Sequence, residues 1–302
     1  MIRSLYSAIT GLKNHQISMD IIGNNIANVN TAGFKRERAS FATMLGQEIR
    51  GTTAPAEDTD GNTITGGMNG ISIGLGSILG SVDKVMGQGS SQYTGKATDI
   101  MIQGEGFFVL NTISGNVYTR VGNFDFDKEG NLVNVGTGAK VQGYKYESGS
   151  WPADPEDPAA NLVDIKFSLG EGMEDDDDFK LQSFSIGQDG IITGVYSKVE
   201  DGSSSMTRPL YKLAVALFSN QSGLTAIGNN CFIESNNSGN AEIGNPGEAG
   251  RGTIMPNYLE MSNVDLSQEF TDMIVTQRGF QANARVITVS DTLLQELIDL
   301  KR

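Results

Sequence analysis

One histidine (His15), one cysteine (Cys231) and 36 carboxylates are the side chains of this 302-residue chain from which chemistry would have to be built. A lone histidine excludes a His-rich metal site, and a catalytic triad away from His15 would need lysine or carboxylate substitutes. Cys231 has no partner for an intramolecular disulfide and reads as a small core residue. Gly104 and Gly106 are not followed by a helical pattern, so neither a P-loop nor a dinucleotide fingerprint is present. Asp125, Asp127, Glu129 and Gly130 match the first half of a calcium-binding EF loop. The position of the bidentate glutamate is Gly136 and no helix flanks it, so a hairpin turn is expected instead. The run Glu174 to Asp178 has the charge to attract a divalent cation and reads as a solvated loop. Counting carboxylate pairs alone leaves an all-β glycosidase open. An enzyme, however, gives no reason for the two apolar seams at the chain ends. We expect no catalytic residue, no metal ligand and no cofactor.

Those seams are the strongest pattern in the chain. In alternating steps of four and three come Leu266, Phe270, Met273, Gln277, Phe280, Ala284, Ile287, Asp291, Leu294 and Ile298, apolar but for Gln277 and Asp291. Ser262, Asn263 or Asp265 is placed to cap this helix, and Asp265 with Gln268 has capping-box spacing. A helix from Asn263 to Arg302 would be roughly 55 to 60 Å long. The N-terminal end carries Ile2, Leu5, Ile9, Leu12, Gln16, Met19, Gly23 and Ile26 at the same period. Two such stripes predict a helix pair, parallel or antiparallel, with more apolar seam than one small domain covers. An ordinary bundle core is the plain alternative, but helical pattern is scarce in the middle of the chain.

Composition sets the remaining bounds. The 38 glycines against seven prolines favour turns and short strands. A formal net charge of −14 argues against nucleic acid, because phosphate contacts need clustered Lys and Arg. No run of about 18 apolar residues is present to cross a membrane, and the amphipathic start lacks the apolar core of a cleaved signal.

After the first helix, Gly23-Asn24-Asn25-Ile26-Ala27-Asn28 should break helical period, with Ile26, Val29 and Phe34 packing the segment that follows. Residues 41–70 have a poor pattern and read as a partly ordered connector. Strand signals begin near Ile71, continue through Asp99 to Leu110 and Asn116 to Phe126, and return over Leu210 to Phe218 and Cys231 to Glu234. Between Glu147 and Asp201, acidic residues far outnumber Lys166, Lys180 and Lys198. Trp151 with Pro152, Pro155 and Pro158 reads as the inbound linker and Asp201 to Ser205 as the polar way out. Between them Phe179 to Ser197 reads as a hairpin about Asp189-Gly190.

Several landmarks together resemble the bacterial flagellar rod and hook family. They are Gly23-Asn24-Asn25-Ile26-Ala27-Asn28 with Thr31-Ala32-Gly33-Phe34-Lys35, Gly104 to Val109, Tyr118 to Phe124, and Ser262-Asn263-Val264-Asp265 with Gln277-Arg278. The resemblance covers about residues 1 to 145 and 209 to 302. It implies an α+β, mainly β fold, in which a terminal α-helical coiled-coil pair closes nested, discontinuous β domains. The expected boundaries are 1–30 with 260–302 for the helices, 31–70 for a connector to neighbouring subunits, 71–145 with 209–259 for an inner β domain, and 146–208 for an inserted acidic one.

The resemblance further implies a structural subunit of the flagellum, exported unfolded by the type III apparatus and polymerising into a helical tube. Rod, hook-cap and hook–filament junction proteins are the partners it implies. Gln277-Arg278-Gly279-Phe280-Gln281-Ala282-Asn283 is more similar to the hook branch than to the distal-rod branch, which tends to carry Ala-Tyr-Glu at 279 to 281. A distal rod subunit is the alternative, and a β-rich surface adhesin a third.

Overall fold

A computed structural model describes residues 2–57, 63–113, 115–146, 151, 161–167, 172–173, 176–198 and 205–300, with backbone alone for 2, 56–57, 63–65, 172–173, 176–179 and 198. The acidic run Glu174 to Asp178, the three linker prolines and most of the polar way out fall outside the described side chains. The chain is mainly β with one long helix at each end, and it divides into two compact units.

The first unit comprises residues 1–27, 37–85 and 265–302. Its helices are α1 (Ile2–Ala27) and α2 (Leu266–Asp299). Asp265 caps α2 by accepting from the Ser267 and Gln268 N–H groups, as its residue type favours. The return half of a capping box is not made, because the Gln268 amide donates to Asp272 instead. At 34 residues α2 is about 50 Å long.

Helix α1 ends later than its sequence suggests. It runs through Gly23, Asn24 and Asn25 to Ala27, because Asn25 has tertiary partners that hold it in helical geometry. Between the helices lies a two-stranded ribbon of antiparallel pairs: Glu37–Thr43 with Ser77–Lys84, Gln47–Arg50 with Ile71–Ile73, and Ala56–Glu57 with Thr63–Thr65. Strands thus begin at Glu37 rather than near Ile71, and the stretch expected to be a connector is largely this ribbon. Leu45 and Ile49 are exposed on it. Gln47–Arg50 is exposed at every position, and a strand with no buried face imposes no alternation on its sequence, which is why the pattern there is poor. The ribbon meets α1 where the Asn14 amide donates to the Ser77 hydroxyl at 2.7 Å.

The second unit, residues 28–36 and 86–264, is built on a 14-stranded antiparallel sheet. Phe107–Thr112 lies near its middle, flanked by Gly115–Thr119 and Lys140–Lys145. Phe107 and Val109 enter one apolar cluster while Phe108 and Leu110 enter another. A strand buried on both faces reads as a continuous apolar run, and this one does. Ser205–Leu213 pairs with both Lys140–Lys145 and Ile191–Lys198. The acidic hairpin Asp176–Ile186 and Ile191–Lys198 therefore continues the inner sheet through shared ladders rather than forming a sheet of its own. Two further pairs, Ile100–Gln103 with Thr253–Pro256 and Ser91–Tyr93 with Tyr258–Glu260, bring the chain back toward α2. Cys231 is buried in the sheet core, which pushes its thiol pKa up.

Candidate assembly interface

The two helices run antiparallel. Asn25 meets Glu269, with the amide nitrogen 3.2 Å from the carboxylate. A β-carbon on Gly279 would lie 2.5 Å from the His15 ring, and one on Gly11 2.7 Å from the Asn283 amide. The residue numbers in each of these three pairs add to the same total, so the register is unbroken along the pair.

This register puts small and polar residues between the helices. The described residues of α2 that are fully buried are Glu269 (1% exposed), Thr276 and Ser290. With Asn283 they form one half of a heptad whose other half is Met273, Phe280, Ile287 and Leu294, all four half-buried. On α1 the covered positions are Ala8, Gly11, Asn14, His15, Ser18, Ile22 and Asn25. Glycine at positions 11 and 279 leaves room for Asn283 and His15 respectively.

Much of the apolar surface consequently points away from the internal seam. Of the seam residues read from sequence, Leu5, Leu12, Met19, Ile26 and Ala284 are half-buried, while Ile9, Leu266, Phe270 and Ile298 are exposed; the side chain of Ile2 lies outside the described residues. Tyr6 (64%), Phe270 (51%), Ile274 and Val275 (64%) add to that exposed set, followed by Val286, Val289, Leu293 and Leu297. Sequence scoring by hydrophobicity favours Leu266 and Phe270 over Glu269 and Thr276. It therefore finds the apolar half of the inner heptad, Met273, Phe280, Ile287 and Leu294, and misses its polar half.

The landmark residues have local tasks. The Asn25 amide donates to the Glu37 carbonyl at 2.8 Å, and its oxygen accepts from the Glu37 N–H at 2.9 Å. This joins the end of α1 to the first strand of the ribbon. Asn263 accepts from the Arg36 N–H at 2.7 Å and donates to the Gly87 carbonyl at 3.0 Å. Gly33 adopts φ +67° and donates its N–H to the Glu260 carbonyl; a β-carbon there would also strike Val121. Asn28 accepts from the Thr31 hydroxyl, and Phe34 is half-buried. Gly23 has open space around it, while Asn24, Gln277 and Arg278 are exposed.

Sequence reasoning did not find the ion cluster beneath these landmarks. Glu260, fully buried, accepts from Lys35 at 2.8 Å, from Arg120 at 3.2 Å and from the Gly89 N–H at 2.8 Å. Burial lowers the Lys35 pKa, and Arg120 acts in the same direction while Glu260 opposes it. Arg120 also donates to the Gly104 carbonyl and lies over the Phe107 ring. Three residues far apart in sequence are thus locked together. The visible signal was a charged residue inside two of the landmarks, Lys35 and Arg120, with Glu260 two positions ahead of a third.

Among the described residues no group of three or more His, Cys, Asp or Glu is arranged to hold a metal ion, and no helix is long and apolar enough to cross a membrane.

Comparison with known proteins gives three family matches in chain order. Residues 5–35 match the flagella basal body rod protein family, residues 101–194 the flagellar hook protein FlgE/F/G D1 domain, and residues 255–300 the flagellar basal body rod FlgEFG protein C-terminal family. The chain is 43% identical to the flagellar basal-body rod protein FlgG of Bacillus subtilis, over 100% of both chains. It is 32% identical to the flagellar hook protein FlgE of Borreliella burgdorferi, again over 100% of both, in an alignment of 453 residues. To the basal-body rod protein FlgG of the same organism it is also 32% identical, over 303 residues and 100% of both. With three family matches in chain order and 43% identity over its whole length, the chain belongs to the flagellar rod and hook protein family.

Proposed function

We propose that this chain is the hook subunit, self-assembling through its terminal helices into a tube that carries motor torque to the filament. One observation carries the self-assembly: α2 buries Glu269, Thr276 and Ser290 within the chain while Phe270, Ile274, Val275, Val289 and Leu297 stay exposed. Apolar stripes of that length are costly in water, at about 25 cal/mol per Å² of apolar area. Packing against other copies removes the cost. Contacts that join one face to a different face do not close on themselves, and so generate helical filaments. A weak polar seam inside each copy suits helices that must change partners on assembly, and also suits export of an unfolded chain. Rod, cap and junction proteins would meet the same helical surfaces at the ends of the tube.

The distal rod is the second reading, and a specific observation favours it. The Bacillus subtilis rod protein aligns over 305 residues with its full length covered, whereas the Borreliella hook protein needs 453. The hook reading rests on the run Gln277 to Asn283.

Electron microscopy of fibres grown from the purified chain separates the two. A curved tube is the expected result, a straight one assigns the rod, and a chain that stays monomeric at high concentration overturns both. Helix content by circular dichroism should rise as fibres form.

A further inference from the structure

We propose that Asn69-Gly70, on the ribbon, is a site of spontaneous deamidation, and that Arg50 directs the product toward isoaspartate. The inference goes beyond the assembly reading and holds for hook and rod alike.

Asn69-Gly70 is the only Asn-Gly sequence in the chain, and both residues are exposed. On one side of them Thr53 pairs with Met68, and on the other Arg50 pairs with Ile71. Among the described ladders neither Asn69 nor Gly70 has a partner, and the facing strand is irregular between Glu48 and Arg50. Among the described residues, the one hydrogen bond that Asn69 makes is through its main-chain carbonyl, which accepts from the Arg50 guanidinium at 3.3 Å. Its side-chain amide is therefore left to turn toward the next nitrogen. Asn237-Ser238 is the contrast. Asn237 is also exposed, but the Ser238 N–H donates to the Ser235 carbonyl and hydroxyl, which holds the nitrogen that would have to attack.

The chemistry needs only these atoms and water. The Gly70 nitrogen attacks the side-chain carbonyl carbon of Asn69 and closes a succinimide ring. The bond from that carbon to the side-chain nitrogen breaks, and ammonia leaves with the proton that Gly70 gives up. Glycine has no side chain to shield its nitrogen or to restrict its backbone. Water then adds to one of the two ring carbonyls and breaks its bond to the ring nitrogen, which regains a proton. Opening at the side-chain carbonyl gives aspartate. Opening at the main-chain carbonyl gives isoaspartate, in which the chain runs through the former side chain and the main-chain carbon becomes a free carboxylate. The carbonyl that Arg50 touches is the main-chain one. A guanidinium there stabilises the negative charge that develops as water adds, and it ends paired with the new carboxylate. The ribbon gains a negative charge and an extra backbone carbon between Met68 and Ile71, with no enzyme involved.

Ageing the purified chain in mildly alkaline buffer, natively and in urea, tests both claims. Peptide mapping by mass spectrometry, with fragmentation that separates the two products, is the readout. In the native chain Asn69 should convert about tenfold faster than Asn237, with a larger share of isoaspartate than in urea. Arg50→Gln should bring that share down to the urea value. A native Asn69 that converts no faster than Asn237 overturns the site, whatever happens in urea. Equal product shares in the native parent and in urea overturn the role of Arg50, and that comparison requires no variant to fold. An Arg50→Gln chain that keeps the parent's share overturns it too.

Discussion

Gly11 of α1 faces Asn283 of α2 so closely that a β-carbon on the glycine would lie 2.7 Å from the amide nitrogen. The helices approach at this level because one of them has no side chain. Gly11→Leu should push them apart, at the 1–3 kcal/mol typical of overpacking. The β unit should be unaffected, since its core clusters lie elsewhere in the chain. The expected result is a higher critical concentration for fibres with an unchanged near-ultraviolet circular dichroism spectrum. Unchanged assembly would mean that the paired helices are not the form that polymerises.

Glu260 is the only anion that the described contacts place against both Lys35 and Arg120, and all three side chains are at most 2% exposed. Glu260→Gln should leave two cations buried around a neutral amide, a loss of about 3–5 kcal/mol. The closing strand Tyr258–Glu260 and the landmark loop at Gly33 should loosen together, since both depend on this residue. Hydrogen exchange of the Gly33 and Gly89 N–H groups reports the loosening directly, and urea unfolding reports the total. A midpoint equal to the parent's would show that the cluster contributes nothing net.

Why this cluster was illegible, while the helices were not, is a matter of range. Helical period is local, so the residues from Leu266 to Ile298 announce a helix by themselves. The pairing of Lys35 with Glu260 spans 225 positions and leaves no periodic trace. The landmark residues Asn25 and Asn263 could be picked out by resemblance, yet apart from the Glu269 carboxylate the partners described above are backbone groups of Glu37, Arg36 and Gly87. Backbone groups are invisible to any argument about residue types. The ribbon strand Gln47–Arg50 was hidden for a different reason, as exposure at every position removes the alternation that marks a strand. In the helix pair, hydrophobicity located the rods and the apolar half of their seam, but not the polar half formed by Glu269, Thr276, Asn283 and Ser290.

Two glycines make opposite predictions from their surroundings alone. Around Gly23 there is open space within α1, so Gly23→Ala should stabilise that helix by about 0.5–1 kcal/mol. A β-carbon on Gly122 would overlap the Ile100 carbonyl oxygen, a backbone atom that cannot swing aside. The Ile100 N–H is also bonded to the Gly122 carbonyl, so the two strands are fixed at this point. Gly122→Ala should therefore cost on the order of 3 kcal/mol or more. Thermal unfolding of the two variants side by side checks both signs.

The pH dependence of stability should have a limb at each extreme, set by different groups. The Lys96 ammonium holds Asp125 below its usual carboxylate range, and the Asn131 amide does the same for Asp127. Carboxylates held low contribute stability above their unfolded pKa, near 3.8, and lose it as pH falls through the lowered value. Both are well exposed, so the acid limb should be shallow and weakened by salt. On the alkaline side, burial and the hydrogen bond to Glu234 push Tyr118 well above 10. Its contribution is complete below pH 10 and is lost as pH rises beyond, because only the unfolded chain then ionises freely. Lys35 has the reverse sign: with its folded pKa lowered by burial, stability rises with pH between that value and 10.5. The two alkaline effects meet near pH 10, so the parent should show a maximum on that side followed by a fall. Tyr118→Phe should flatten the fall while leaving the rise, and Asp127→Asn should flatten part of the acid limb. A thermal midpoint for Tyr118→Phe that drops above pH 10 as steeply as the parent's would assign the alkaline limb to other groups.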